Sequence, residues 1–66
     1  MSYLIVEATC KFWELQAILK RHGIELQQRA TYWRAILHDD VPDPIGYVGN
    51  IIVEYVDCYV DLEQKF

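Results

Sequence analysis

A chain of 66 residues, 53% of them hydrophobic and 14% aromatic, is predicted to form one small domain over residues 1–66. The longest apolar runs are four residues, as in "YLIV", which excludes a membrane-spanning helix from the prediction. The formal net charge of −4 divides into +2 for residues 1–34 and −6 for residues 35–66, and an acidic half disfavours nucleic acid and anionic lipid as direct partners.

The first two predicted elements are a strand and a helix. "YLIVEA", residues 3–8, is rich in β-branched residues and is apolar on both faces, which predicts a central strand. Thr9 is the predicted N-cap of the helix that follows, and Gly23 is the predicted left-handed residue that ends it. One apolar stripe with spacings of three and four runs along this helix: Phe12, Leu15, Ile18 and Leu19.

Residues 24–38 are compatible with two structures. A helix would place Leu26, Ala30 and Trp33 on one face. Against this, "TYWRAILH" alternates fairly well and is rich in strand formers, so we predict a strand. The next stretch, "DDVPDPIGYVG" at residues 39–49, holds two prolines, two glycines and three aspartates, which predicts a surface loop.

The stretch "NIIVEYVDCYVDLEQ", residues 50–64, carries conflicting signals. Helical spacing would put Glu54, Asp57 and Asp61 on one polar stripe. Most of the other residues are β-branched or aromatic, which favours a strand, and we predict one over residues 50–62. One face of this strand would present four polar or aromatic side chains: Tyr55, Asp57, Tyr59 and Asp61.

Together these elements predict an α+β fold in which the order is β-α-β-β. One helix would pack on a three-stranded, mostly antiparallel sheet, and the last two strands would form a long hairpin. Because three strands leave exposed edges, such a chain can pair edge to edge with a second copy as a dimer.

The two cysteines, Cys10 and Cys58, bear on the compartment. A single pair is a thin framework for a secreted miniprotein, and the high hydrophobic content makes a disulfide unnecessary for a core. The N-terminus also lacks the basic and then apolar regions of a signal peptide. We therefore predict reduced thiols and a cytoplasmic location.

No pattern in the chain is typical of a catalytic or cofactor site, and we predict a protein that is not an enzyme and has no cofactor. The possible metal ligands lack the short paired spacings of zinc sites: Cys10, His22, His38 and Cys58. "HDDVPD" does not follow the ligand pattern of a calcium loop, and acids beside prolines are ordinary turn chemistry. A small metal-dependent enzyme around His38 remains an alternative.

The predicted Tyr/Asp face is the strongest candidate for function. Tyrosine offers a large contact area at low entropic cost, and a carboxylate accepts paired hydrogen bonds from arginine. The sequence therefore predicts a non-enzymatic binding module that engages a basic, nucleic-acid-binding surface of another protein, as a phage or mobile-element accessory or inhibitor protein would. The predicted partner-binding residues are Tyr55, Asp57, Tyr59 and Asp61, supported by Asp39, Asp40 and Asp43.

Two further expectations accompany this hypothesis. A structural homo-oligomer, in which the same face or the strand edges meet a second copy, is the alternative from another class. Both tryptophans, Trp13 and Trp33, are expected to pack in or beside the core, because burial is the usual place for large apolar side chains.

Overall fold

Within residues 3–38 and 40–65, four strands and two helices follow one another in the order β-α-β-β-α-β. The structure is a computed structural model, and it describes residues 3–38 and 40–65. The elements are β1 (Tyr3–Ala8), α1 (Phe12–Lys20), β2 (Glu25–Gln28), β3 (Trp33–Ile36), α2 (Pro44–Tyr55) and β4 (Val60–Lys65).

The strands form one sheet in the order β2-β3-β1-β4, with every neighbouring pair antiparallel. Together with the element order, this is the ferredoxin-like arrangement of two split β-α-β units. Strand β1 lies in the interior of the sheet, as predicted, and β2 and β4 are its edges.

Both helices cover the same face of the sheet. On β1, Leu4 and Val6 are buried beneath the helices, whereas the alternate residues Tyr3 and Ile5 are only half-buried. This alternation follows from the two-residue period of a strand. The core joins the buried strand residues to Leu15 and other helical residues: Leu19, Val48, Ile51 and Ile52. Among the described residues no helix covers the opposite face, which is called the open face below.

The predicted α+β class is confirmed, and the predicted β-α-β-β order is roughly consistent with the structure, since its first strand, helix and next strand are present in that order. The predicted hairpin of the last two strands is wrong, because α2 separates β3 from β4 and β4 pairs with β1. The single strand predicted for residues 24–38 is instead a hairpin, in which β2 and β3 are joined by a turn closed by the hydrogen bond from Arg29 N to Tyr32 O. Consequently the sheet has four strands in the part of the chain that the structure describes, rather than the predicted three.

The largest error concerns residues 39–62, where the predicted loop and strand contain α2. Asp43 caps this helix and Pro44 occupies its first turn, so the loop-like residues are a helix start. Val48, Ile51 and Ile52 recur at three and four and are buried against the sheet. This burial outweighs the modest helix penalty of β-branched residues.

Helix α1 matches its prediction except at its start. Gly23 has a φ of 76°, the left-handed conformation expected after a helix end. Thr9, however, is not the N-cap, which is Lys11 without a side-chain hydrogen bond. The Thr9 hydroxyl instead accepts a hydrogen bond from Tyr59 N at 3.0 Å, which extends the pairing of β1 with β4.

Candidate interaction surface

A disulfide joins Cys10 to Cys58, with Cα atoms 5.6 Å apart. Ala8 pairs with Val60 in the sheet. Cys10 follows Ala8 by two residues and Cys58 precedes Val60 by two, so the same antiparallel register places the two cysteines opposite each other. Directly opposed residues in an antiparallel pair are close enough to be bridged. The expectation of reduced thiols is therefore wrong, and the cytoplasmic prediction loses that support, because disulfides persist mainly in oxidising compartments.

The open face carries its charges in two separate groups. Its β1–β4 side presents three carboxylates, Glu7, Asp61 and Glu63, and its β2–β3 side presents two guanidinium groups, Arg29 and Arg34. One opposite charge accompanies each group on the same face: Lys65 on β4 and Glu25 on β2. Within residues 3–38 and 40–65, no ion pair joins the two groups, and the ion pair found is Lys65 Nζ to Glu63 Oε1 at 3.1 Å.

The acidic group is concentrated by the strand register. Glu7 lies directly opposite Asp61, and Glu63 follows two residues along β4 on the same face. Opposite charges in directly opposed positions stabilise a sheet by about 0.2–1 kcal/mol, whereas like charges in these positions destabilise it. Tyr59, whose side chain is 68% exposed, continues this row beyond the end of the strand. An aromatic side chain therefore lies at the edge of an acidic patch in which Lys65 pairs with one of the three carboxylates.

The basic group is ordered by a shared amide. The side-chain oxygen of Gln27 accepts hydrogen bonds from Arg29 at 2.9 Å and from Arg34 at 2.6 Å. The Arg34 guanidinium also lies over the ring of Tyr3, 5.1 Å from its centroid, as in a cation–π interaction. Its Nε is buried and has no hydrogen-bond partner among the described residues. These contacts hold Arg34 flat against the open face.

A groove of about 300 Å³ lies between α2 and β4 on the helical side of the sheet. Six of its eight lining residues are glycine or aliphatic: Gly49, Ile52, Val53, Val56, Val60 and Leu62. Asp57 and the disulfide-bonded Cys58 complete the lining, so the groove also has a polar part. None of the lining residues belongs to β1, so the groove opens toward the outer edge of β4 rather than toward the centre of the sheet. Val53 at its lip is 72% exposed.

The structure brings together only part of the predicted partner-binding set. Tyr59 and Asp61 share an accessible side, as the alternation predicted. Tyr55 instead ends α2 beside His22, with ring centroids 6.3 Å apart. Asp57 lies in the exposed connection between α2 and β4. The predicted continuous strand face is wrong, because the chain changes from helix to strand between these residues.

The two loop acids that the structure describes lie at or before the start of α2. Asp43 caps the N-terminus of α2, where its side chain accepts a hydrogen bond from Gly46 N at 3.4 Å. Asp40 is exposed in the preceding turn, and Asp39 lies outside the described residues. Because α2 has 12 residues and is about 18 Å long, Asp43 lies about a helix length from Tyr55. Asp43 is therefore not part of the surface formed by Tyr59 and Asp61.

Two features of the surface were missed or wrongly expected from the sequence. Trp13 is 64% exposed, so its expected place in the core is wrong, whereas Trp33 is half-buried and packs edge-on against Phe12 at 5.3 Å. Trp13 flanks a second groove between α1 and the β2 edge. The missed signal is that Trp13 lies outside the apolar stripe of α1. Glu7 was missed because nothing local in the sequence pairs it with Asp61.

The described residues provide little for metal chemistry. Among residues 3–38 and 40–65, no group of three or more His, Cys, Asp or Glu side chains is placed to bind a metal ion. His38 is exposed, and the two cysteines considered as ligands are joined to each other. Within the same residues no helix is long and apolar enough to cross a membrane.

No protein-family model, curated protein or solved structure matches this chain. The ferredoxin-like arrangement describes its architecture only, since one fold supports many unrelated functions. Function is therefore argued from the surface itself.

Proposed function

We propose that this protein is a non-enzymatic binding module whose acidic β1–β4 surface engages a basic surface of another protein. The observation that carries the proposal is that Glu7 lies directly opposite Asp61, with Glu63 nearby on the same face. Among the described residues, the cation that forms an ion pair with this group is Lys65, which pairs with Glu63. A partner that inserts arginine or lysine between these carboxylates would relieve their repulsion.

The surrounding surface supports the same partner chemistry. Tyr59 offers an exposed aromatic contact at the end of the acidic row, and Asp57 adds a further exposed carboxylate in the adjoining connection. A basic patch that normally holds nucleic acid would meet these carboxylates in place of phosphates. An accessory or inhibitor role for a phage or mobile element is one setting in which such a module would act.

The test is a charge reversal with a matched control. Asp61→Lys changes the acidic surface, whereas Asp40→Lys makes the same charge change at an exposed aspartate beyond the far end of α2. A protein retained from host lysate by the immobilised wild-type chain should be lost with Asp61→Lys and kept with Asp40→Lys, and should elute as salt rises. Equal retention by both variants would contradict the proposal.

A second candidate function, self-association, is favoured by the pattern of charge across the open face. One row of side chains runs from Glu25 on β2 through Ile36 and Tyr3 to Lys65 on β4. If the open faces of two copies packed together about a two-fold axis parallel to the strands, each end of this row would lie against the opposite end of the same row in the second copy. Glu25 would then meet Lys65 of the second copy.

The same rotation places Arg29 against Asp61 of the second copy, so the two charge groups neutralise each other across the interface. Two strands of six residues and two of four, at about 4.8 Å between strands and about 3.3 Å per residue, give a patch of about 300 Å² per copy. This is small beside the roughly 800 Å² per partner of a standard interface, so the dimer would be weak and concentration-dependent.

Charge exchange distinguishes the two functions. Asp61→Arg should dissociate such a dimer, and the double variant Asp61→Arg with Arg29→Asp should restore it, as measured by sedimentation velocity at two concentrations. Binding to a separate basic partner would be lost in the single variant and would not return in the double variant. A monomer at all concentrations in the wild type would remove this second candidate.

A further inference from the structure

The outer edge of β4 has backbone groups that no described strand pairs. Among residues 3–38 and 40–65, β4 hydrogen-bonds only with β1. Thr9 N donates to Tyr59 O at 3.0 Å, so the odd-numbered residues of β4 direct their amides and carbonyls toward β1. The alternate residues Val60, Leu62 and Gln64 therefore direct theirs outward, as a template for another strand.

The two sides of this edge differ in chemistry. On the helical side, Val60 and Leu62 form the floor of the apolar groove whose wall is α2. On the open face, Asp61 and Glu63 project beside Glu7. A strand added to β4 would thus meet an apolar groove with every second side chain and carboxylates with the others.

We infer that β4 accepts an extended segment of the partner by antiparallel strand addition, and that this segment alternates apolar and basic residues. The inference rests on the proposed function and specifies how the partner is held. Antiparallel addition continues the pattern of every pair in the sheet, which is also the more stable pattern per residue. Backbone hydrogen bonds then supply affinity and the two sides of the edge supply specificity.

The register fixes which backbone groups of the partner are used. In antiparallel pairing, residues that exchange hydrogen bonds stand directly opposite each other and project on the same face. The partner residues opposite Val60, Leu62 and Gln64 therefore direct their side chains toward the groove and their amides toward β4. The basic residues between them direct their amides away from β4, into solvent.

This difference gives a direct test with synthetic peptides, which are acetylated and amidated and in which valine and arginine alternate. Binding to the full oxidised chain is measured by isothermal titration calorimetry. N-methylation of the valine amides should weaken binding by about tenfold or more, because it removes several hydrogen bonds of about 0.5–1.5 kcal/mol each. N-methylation of the arginine amides should change the dissociation constant by less than about twofold, since those amides contact water.

A peptide of the same composition with its valines and arginines in two blocks separates strand addition from charge attraction. The alternating peptide should bind at least about tenfold more tightly than the blocked peptide, because only alternation fills both sides of the edge. If the two bind equally and Asp61→Lys abolishes both, strand addition is wrong while the proposed acidic surface stands. Strand addition would also be wrong if N-methylation of the valine amides left the dissociation constant of the alternating peptide unchanged.

Two variants of α2 test the groove. Val53→Arg places a long charged side chain at the groove lip, whereas Asn50→Arg adds the same charge at an exposed position of the same helix that does not line the groove. The first should weaken the alternating peptide by about tenfold relative to the second, as expected for loss of an apolar contact. Equal affinities of the two variants would show that the groove takes no part.

Discussion

Reduction of the disulfide between Cys10 and Cys58 is expected to remove most of the stability of the folded chain. The bond spans a sequence separation of 48 residues, and a closed loop of that length corresponds to about 4 kcal/mol at 25 °C in the chain-entropy account. The core of a domain this small seldom contributes more than about 3–5 kcal/mol. At about 4–8 °C per kcal/mol, the melting temperature should fall by about 15–30 °C.

The assay is thermal unfolding followed by far-ultraviolet circular dichroism, with and without a phosphine reductant. The double variant Cys10→Ser with Cys58→Ser is the control, because it should match the reduced wild type and be insensitive to the reductant. A urea titration at 25 °C gives the change in free energy of unfolding directly. If the oxidised and reduced chains differ by less than about 1 kcal/mol, the loop-closure argument is refuted for this protein.

Three smaller perturbations have expected outcomes in the same unfolding assay. Asp43→Ala should lower the free energy of unfolding by about 2 kcal/mol, because it removes the cap of α2 and places alanine at a φ of 46°. Asp43→Asn keeps the hydrogen-bond acceptor and tolerates this φ, so it should lower the free energy of unfolding by less than about 0.5 kcal/mol. Trp33→Ala should lower the free energy of unfolding by about 2 kcal/mol or more, because Trp33 packs against Phe12. Trp13→Ala should lower it by less than about 1 kcal/mol, because Trp13 is mostly exposed, and equal decreases would contradict the assigned burial. Asp61→Asn should stabilise the isolated chain by about 0.2–1 kcal/mol, because it removes the repulsion between Asp61 and Glu7. This gain in stability should decrease as the salt concentration rises. A loss of stability would mean that the two carboxylates do not repel each other.

The candidate surface was only partly accessible to sequence reasoning. The alternation of Tyr59 and Asp61 is a local property, so their shared side could be predicted. The acidic group also needs Glu7, which lies far away in the chain and joins Asp61 only through the register of β1 with β4. Likewise, the α2–β4 groove could not be anticipated while residues 50–55 were assigned to a strand.

Residues 50–55 show why local propensity failed there. Their β-branched and aromatic composition favours a strand by a margin that burial readily exceeds. Once Ile51 and Ile52 pack on a sheet with Val48 one turn earlier, the helix buries a continuous apolar stripe. Asp43 and Pro44 were visible signals for the start of this helix, but the same residues are equally typical of a turn.

The sequence by itself determined the elements whose signals are local and agree with one another. The apolar run of β1, the stripe of α1 and the left-handed Gly23 each follow from the residues within that element. Tertiary structure decided the helical state of α2, the acidic patch and the disulfide bond between Cys10 and Cys58. Each of these depends on residues brought together from distant parts of the chain. Such proximity is set by strand order and register, and these are fixed by the burial of one shared core rather than by any short segment.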